Sequence, residues 1–221
     1  MFQRDYFMRM IEQVGEAVGQ VMGLRQRKEH LEAMKVIDDL FERHLRLQPR
    51  LIHALSDKDI TDLLTTNGVV DSAALEAIAL LLRQLGEIHD EQGQETEGYA
   101  RYVKSLALNL RLLLYGADPV VSEPRREAEL LLDRLKAYEL PAAVKKLLAS
   151  WHEAEGRYAE AENIMHELLE DRELEAGDAS NFYRRLMLKE DAELSAGGLP
   201  RDELEQGIEQ LEKWSVRGLN G

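Results

Sequence analysis

Apolar residues recur at intervals of three and four along almost all of the 221-residue chain, and no alternating stretch is bounded by the turn residues of a hairpin. A period of 3.6 residues puts such side chains on one face of a helix, so the pattern predicts an all-α protein in which strands need not be invoked. The first helix carries Phe7, Ile11, Val14, Val18 and Val21 and runs to about residue 27. A second, over 30–47, carries Ala33, Val36, Ile37, Leu40 and Phe41 and is broken by Pro49. After a short helix at 50–55, Ser56 and Asp59 make a capping-box start for another that stops before Asn67-Gly68, and Asp71 or Ser72 caps one over 73–91. Further helices are expected over 95–114, 124–138, 141–155, 158–173, 178–195 and 200–216, ten or eleven in all.

Within this pattern one unit repeats. Segment 147–169, LLASWHEAEGRYAEAENIMHELL, has a leucine–small pair at Leu148 and Ala149, a turn glycine at Gly156, an aromatic at Tyr158 and a small residue at Ala161. This order resembles a tetratricopeptide repeat, in which small residues at the crossing let two helix axes approach closely. The same register fits 81–106, with Leu85-Gly86, Gly93 and Gly98, and more weakly the N-terminus, with Val21, Leu24, Lys28, His30, Ala33, Ile37 and Leu40. The turn positions Lys28, Gly93 and Gly156 are 65 and 63 residues apart. That spacing is nearly twice the ~34-residue period of tandem arrays, so extra helices are expected between the pairs. The resulting reading is an irregular right-handed α-α superhelix of tetratricopeptide-like pairs with intervening helices. It forms a single domain over 1–221, with pairs at 7–47, 73–114 and 141–173 and closing helices over 178–216. The opening, MFQRDYFMRMIEQVGEAVGQVMGLR, resembles the start of a full-length family of unknown function from Gram-positive, spore-forming bacteria that is tetratricopeptide-like in character. The resemblance implies a fold and supplies no activity, substrate or functional residue.

Chemistry is poorly represented. With no cysteine, thiolate nucleophiles, disulfides and thiolate-held metals are excluded. The six histidines form no H-E-x-x-H pattern, and none has a glutamate three residues before it. His89 and His152 occupy the same repeat position, where a packed structural role outweighs metal ligation. There is no phosphate-binding G-x-x-x-x-G-K-[ST] loop and no G-x-S-x-G elbow, so no catalytic residue, cofactor or metal site is assigned and the chain is read as a non-enzyme. A formal charge of −14 repels phosphate backbones and argues against nucleic acid as a partner. Ten carboxylates between Glu153 and Asp178 face only Arg157 and Arg172, which reads as a solvated face before it reads as a dock for a basic partner. No run of 18 apolar residues spans a membrane, and charges interrupt any leader-like start, so the expected location is the cytoplasm.

Two surface features remain. Gly15, Gly19 and Gly23 are spaced by four on the first helix, where each costs up to ~1 kcal/mol against Ala unless another backbone approaches. Packing against the second helix is the first expectation; a contact with a peptide, or with a second copy in a homodimer, is the alternative. For a peptide groove, the inner positions of the first helix of each pair are Val18, Met22 and Arg25; Arg83, Glu87 and Asp90; and Lys146, Ser150 and Glu153. A protein- or peptide-binding scaffold is therefore the leading expectation, and a regulatory subunit or peptide-signal receptor acting through another chain is the second.

Overall fold

A computed structural model describes residues 2–218, with side chains described over 8–211. Phe7 lies outside the latter range. The described chain is all-helical apart from one tiny hairpin. It divides into two compact units, 1–140 and 141–221, each with its own core.

The first unit holds α1 (Phe2–Gln26), α2 (His30–Arg43), α3 (Pro49–Ala54), α4 (Asp57–Leu63), the hairpin β1 (Thr65–Thr66) and β2 (Val69–Val70), α5 (Ser72–Glu91), α6 (Glu95–Tyr115) and α7 (Pro124–Leu135). α5 is the central element. It packs along α6 and against both α1 and α2, while α7 lies on α6. Its run of Ala, Leu and Ile side chains from Ala73 to Ile88 is almost wholly buried, as a helix covered on several sides requires. The second unit holds α8 (Ala142–Ala154), α9 (Tyr158–Glu170), α10 (Ala176–Leu186), α11 (Asp191–Ala196) and α12 (Arg201–Gly218). There α8 pairs with α9, and α12 packs on α10 and α11 around Tyr158, Phe182, Tyr183, Leu194 and Leu204.

The three expected helix pairs close in the same way, by a turn that recurs at Gly116, Arg172 and Gly198. Lys28, Gly93 and Gly156 all take the left-handed conformation, with φ of 60°, 71° and 72°. After each, the next N–H donates back to a carbonyl five residues earlier: Glu29 to Leu24 at 2.9 Å, Gln94 to His89 at 2.8 Å and Arg157 to His152 at 2.9 Å. The turn residue itself donates to Arg25, Asp90 or Glu153 at 2.8, 2.9 and 3.0 Å. These two bonds satisfy carbonyls that a helix end otherwise leaves exposed. Lys28 thus makes the glycine-type turn despite its side chain. The small residues sit at the crossings: Ala33 and Ala161 are fully buried, and a Cβ placed on Gly98 would lie 3.2 Å from the Gly86 carbonyl oxygen.

The connection between α6 and α7 is fastened from within. Glu76 of α5, fully buried, accepts hydrogen bonds from the backbone amides of Val120 (3.0 Å), Val121 (2.6 Å) and Ser122 (3.0 Å). Successive amides form a concavity suited to an anion, and this carboxylate fills it. Burial pushes the Glu76 pKa up while the three amides pull it down.

Three expectations need correction. Asn67 and Gly68, at φ of 52° and 79°, make a two-residue turn that pairs Thr65 with Val70 and Thr66 with Val69, so a hairpin exists where none was invoked. The helix expected over 178–195 is two helices, because residues 187–190, which follow the buried Leu186, are all exposed and give a continued helix no face to bury. Finally, no neighbour lies within 4 Å of a Cβ built on Gly15 or Gly19, and only Arg27 Nη1, at 4.0 Å, on Gly23. Close approach of another helix at these three positions does not occur among the described residues.

The turn geometry predicts opposite effects of two substitutions. Gly156→Ala meets nothing closer than 3.9 Å, so only left-handed strain opposes it, and it should lower unfolding free energy by about 1 kcal/mol. Lys28→Gly relieves the same strain and should raise it by up to about 1 kcal/mol in urea denaturation.

Candidate functional site

Arg83, Glu87 and Asp90 share one face of α5 because positions i, i+4 and i+7 line up on a helix. The structure gathers them into the first unit with Arg25, the fourth expected partner-binding residue, and ties all four into internal contacts. Glu87 pairs with Arg83 on its own helix and with Arg25 of α1. Arg25 also reaches Glu91 at 2.7 Å and the Gln84 amide oxygen at 3.0 Å, and Arg83 reaches Glu127 of α7 at 2.5 Å. The charges alternate in sign from α1 across α5 to α7, and none of Arg25, Glu87, Arg83 and Glu127 is more than 20% exposed. A partner's charge arriving here has to displace a pair that already exists.

Asp90 anchors a second cluster. It accepts from the Tyr102 hydroxyl and from Arg134 Nη1, each at 2.8 Å, and the Arg134 guanidinium carbon stands 5.0 Å from the centre of the Tyr102 ring. Burial, with the Asp90 bond adding to it, pushes the Tyr102 pKa up, so the phenol stays a donor.

Alongside these clusters run three adjoining cavities. One of about 310 Å³ lies between α5 and α7, lined by Arg83, Glu87, Leu130, Leu131, Asp133 and Arg134. Arg134 also lines the next, of about 190 Å³, with Asp90, Tyr99, Tyr102 and Tyr138. Tyr99 and Tyr138 continue into a third, of about 240 Å³, with Glu95 and Thr96. Sequence reasoning found the α5 wall of this groove and missed the other side, because α7 and Tyr138 lie in a region lacking the small-residue signature. The signal available there was Tyr138, an aromatic in a turn that the fold leaves 47% exposed.

The other expected positions stand apart. Met22 is 49% exposed on α1. In the second unit, Lys146 and Ser150 are exposed on α8, the Ser150 hydroxyl donating to the Lys146 carbonyl at 2.9 Å. Glu153 holds Arg185 of α10 through two bonds of 2.7 Å. His89 and His152 both give their backbone carbonyls to the pair-closing turns, and His89 Nδ1 lies 2.6 Å from Gln94 Oε1.

Compared with known proteins, the chain matches over residues 1–215 a family model described as a family of unknown function (DUF6483). No curated protein and no solved structure matches it at a significant level. No helix among the described residues is long and apolar enough to cross a membrane.

One titratable cluster lies elsewhere in the first unit. His53 lies in the last turn of α3, and Lys104 of α6 donates to the carbonyls of Ile52 and His53 at 3.0 and 2.8 Å. Burial first, then the charges of Arg101 and Lys104 with His89 nearby, pull the His53 pKa from 6.5 to about 4. The unfolded chain therefore takes up this proton first. The contribution to stability is complete above pH 6.5 and is lost progressively as pH falls from 6.5 toward 4. His152, lowered by burial and Arg157, acts in the same direction. By difference, His53→Gln should flatten the fall of unfolding free energy between pH 6.5 and 4; an unchanged slope would show that His53 does not titrate in this way.

Proposed function

We propose, from the premise that the chain belongs to the family of unknown function DUF6483, that it is a non-enzymatic cytoplasmic scaffold or adaptor. In this reading it holds a protein or peptide partner on a surface of tetratricopeptide-like helix pairs. The observation that carries the reading is the run of adjoining cavities along α5, α6 and α7. They are open and mixed in character, with apolar Leu130 and Leu131, aromatic Tyr99 and Tyr138, and charges of both signs. A peptide in extended form presents alternate side chains to one surface and suits a succession of shallow pockets of differing chemistry. The small residues Ala33, Gly98 and Ala161, each five positions beyond the turns at Lys28, Gly93 and Gly156, support the tetratricopeptide-like reading.

Within the groove, charges at Arg83 and Glu87 are already balanced, so affinity is expected to come from the apolar and aromatic walls. Leu130, 51% exposed and outside the buried core, is the residue to test. Peptides selected from a display library on the full chain should bind at least about tenfold more weakly to Leu130→Asp, as loss of an interface anchor does, with its melting temperature unchanged. Failure to select any peptide, or selected peptides indifferent to this substitution, would sink the groove as a binding surface.

A further inference from the structure

At its α6 end the groove contains a seat of defined chemistry. Tyr99 and Tyr138 stand with ring centres 5.4 Å apart and planes tilted by 37°, and the Tyr99 hydroxyl is held by the Glu139 carbonyl at 2.7 Å. The two rings pack against each other and together border one side of a pocket of about 240 Å³ that Glu95 and Thr96 also line. Glu95, on the first turn of α6, is exposed, lines the pocket and has no ion-pair partner among the described residues. Aromatic faces and a carboxylate with no cation between them form the complement of a cationic side chain.

The adjacent cavity already contains such an arrangement with its cation in place. There Arg134 lies over Tyr102 while bonded to Asp90 at 2.8 Å and to the Tyr102 hydroxyl at 3.0 Å. Guanidinium is planar, weakly hydrated and able to stack on a ring while it bonds a carboxylate edge-on, which an ammonium does less well. Asp90 and Tyr102 with Arg134 therefore display, a few side chains away, the recognition that Glu95, Tyr99 and Tyr138 offer unfilled.

We propose that the pocket bordered by Tyr99, Tyr138 and Glu95 receives an arginine side chain of a bound peptide, its guanidinium stacked on the exposed part of the Tyr138 ring and paired with Glu95. This rests on the peptide-binding reading of the groove and specifies which residue of the peptide enters it. The net charge of −14 adds a general attraction for basic peptides, from which a specific seat has to be separated.

The test is titration of the full chain, labelled at tyrosine rings, with acetyl-Gly-Arg-Gly-amide and with its citrulline counterpart, the same shape without the charge. The arginine peptide should shift the Tyr99 and Tyr138 ring signals and the citrulline peptide should not. Tyr138→Leu and Glu95→Gln should each weaken arginine-peptide binding roughly five- to tenfold, the range of a partly desolvated cation–π or ion-pair contact. Glu205→Gln, an exposed acid on α12, should leave it unchanged. Absent ring shifts, or equal weakening by Glu205→Gln and Glu95→Gln, would overturn the seat. Peptides that lose affinity with Leu130→Asp and keep it with Tyr138→Leu would remove the seat while leaving the groove reading intact.

Discussion

A helix pair closes only if the chain reverses within two or three residues while the last carbonyls of the first helix find donors. Here a single left-handed residue meets that requirement in the three expected pairs, at Lys28, Gly93 and Gly156, and again at Arg172 and Gly198, with matching pairs of backbone bonds. Everything downstream depends on it. The second helix of each pair starts at a set angle, which brings Ala33, Gly98 or Ala161 against the first helix. At the α5–α6 crossing the two helices approach so closely that side chains there are reduced to hydrogen. Helix propensity alone does not hold pairs of this length together; the buried faces that the turn brings into register do.

The first unit shows how an acidic chain keeps its charges in order. Its interior ion pairs run from α1 through α5 to α7, so the same contacts that link three helices also neutralise their carboxylates and guanidiniums. Partly buried pairs of this kind add less to stability than to specificity of arrangement, since a helix shifted by one turn would leave charges facing the wrong partner. The side chains left exposed at the groove rim, Leu130 and Tyr138 among them, are accordingly aliphatic and aromatic.

The amount legible in the sequence follows from how local each cause is. The all-helical class, the capping box of Ser56 and Asp59, Asp71 as a cap bonded to Ala74, and the turns at Gly93 and Gly156 all arise from interactions within a few residues. They were readable for that reason. The split at 187–190 was not, because no proline or glycine marks it and it depends on which leucines the second core accepts. For the glycines of α1 the reason is the opposite: their spacing is a local fact, while packing against α2 depends on where that helix lies, and no described residue lies closer than 4.0 Å to a Cβ there. Of the candidate site, helix phase located Arg83, Glu87 and Asp90. It had no access to Glu127, Arg134 or Tyr138, which arrive from a helix and turn more than 35 residues away in sequence. Glu76 left one trace, a lone acid within the apolar run 73–82.

That acid has a wider consequence. By filling the concavity of amides at 120–122, Glu76 makes the α6–α7 connection a bonded part of the unit instead of a loose tether, and so sets where α7 begins. The α7 wall of the groove is consequently in place before anything enters it. Whatever binds there meets a preorganised surface, and the entropy of ordering falls on the incoming chain alone.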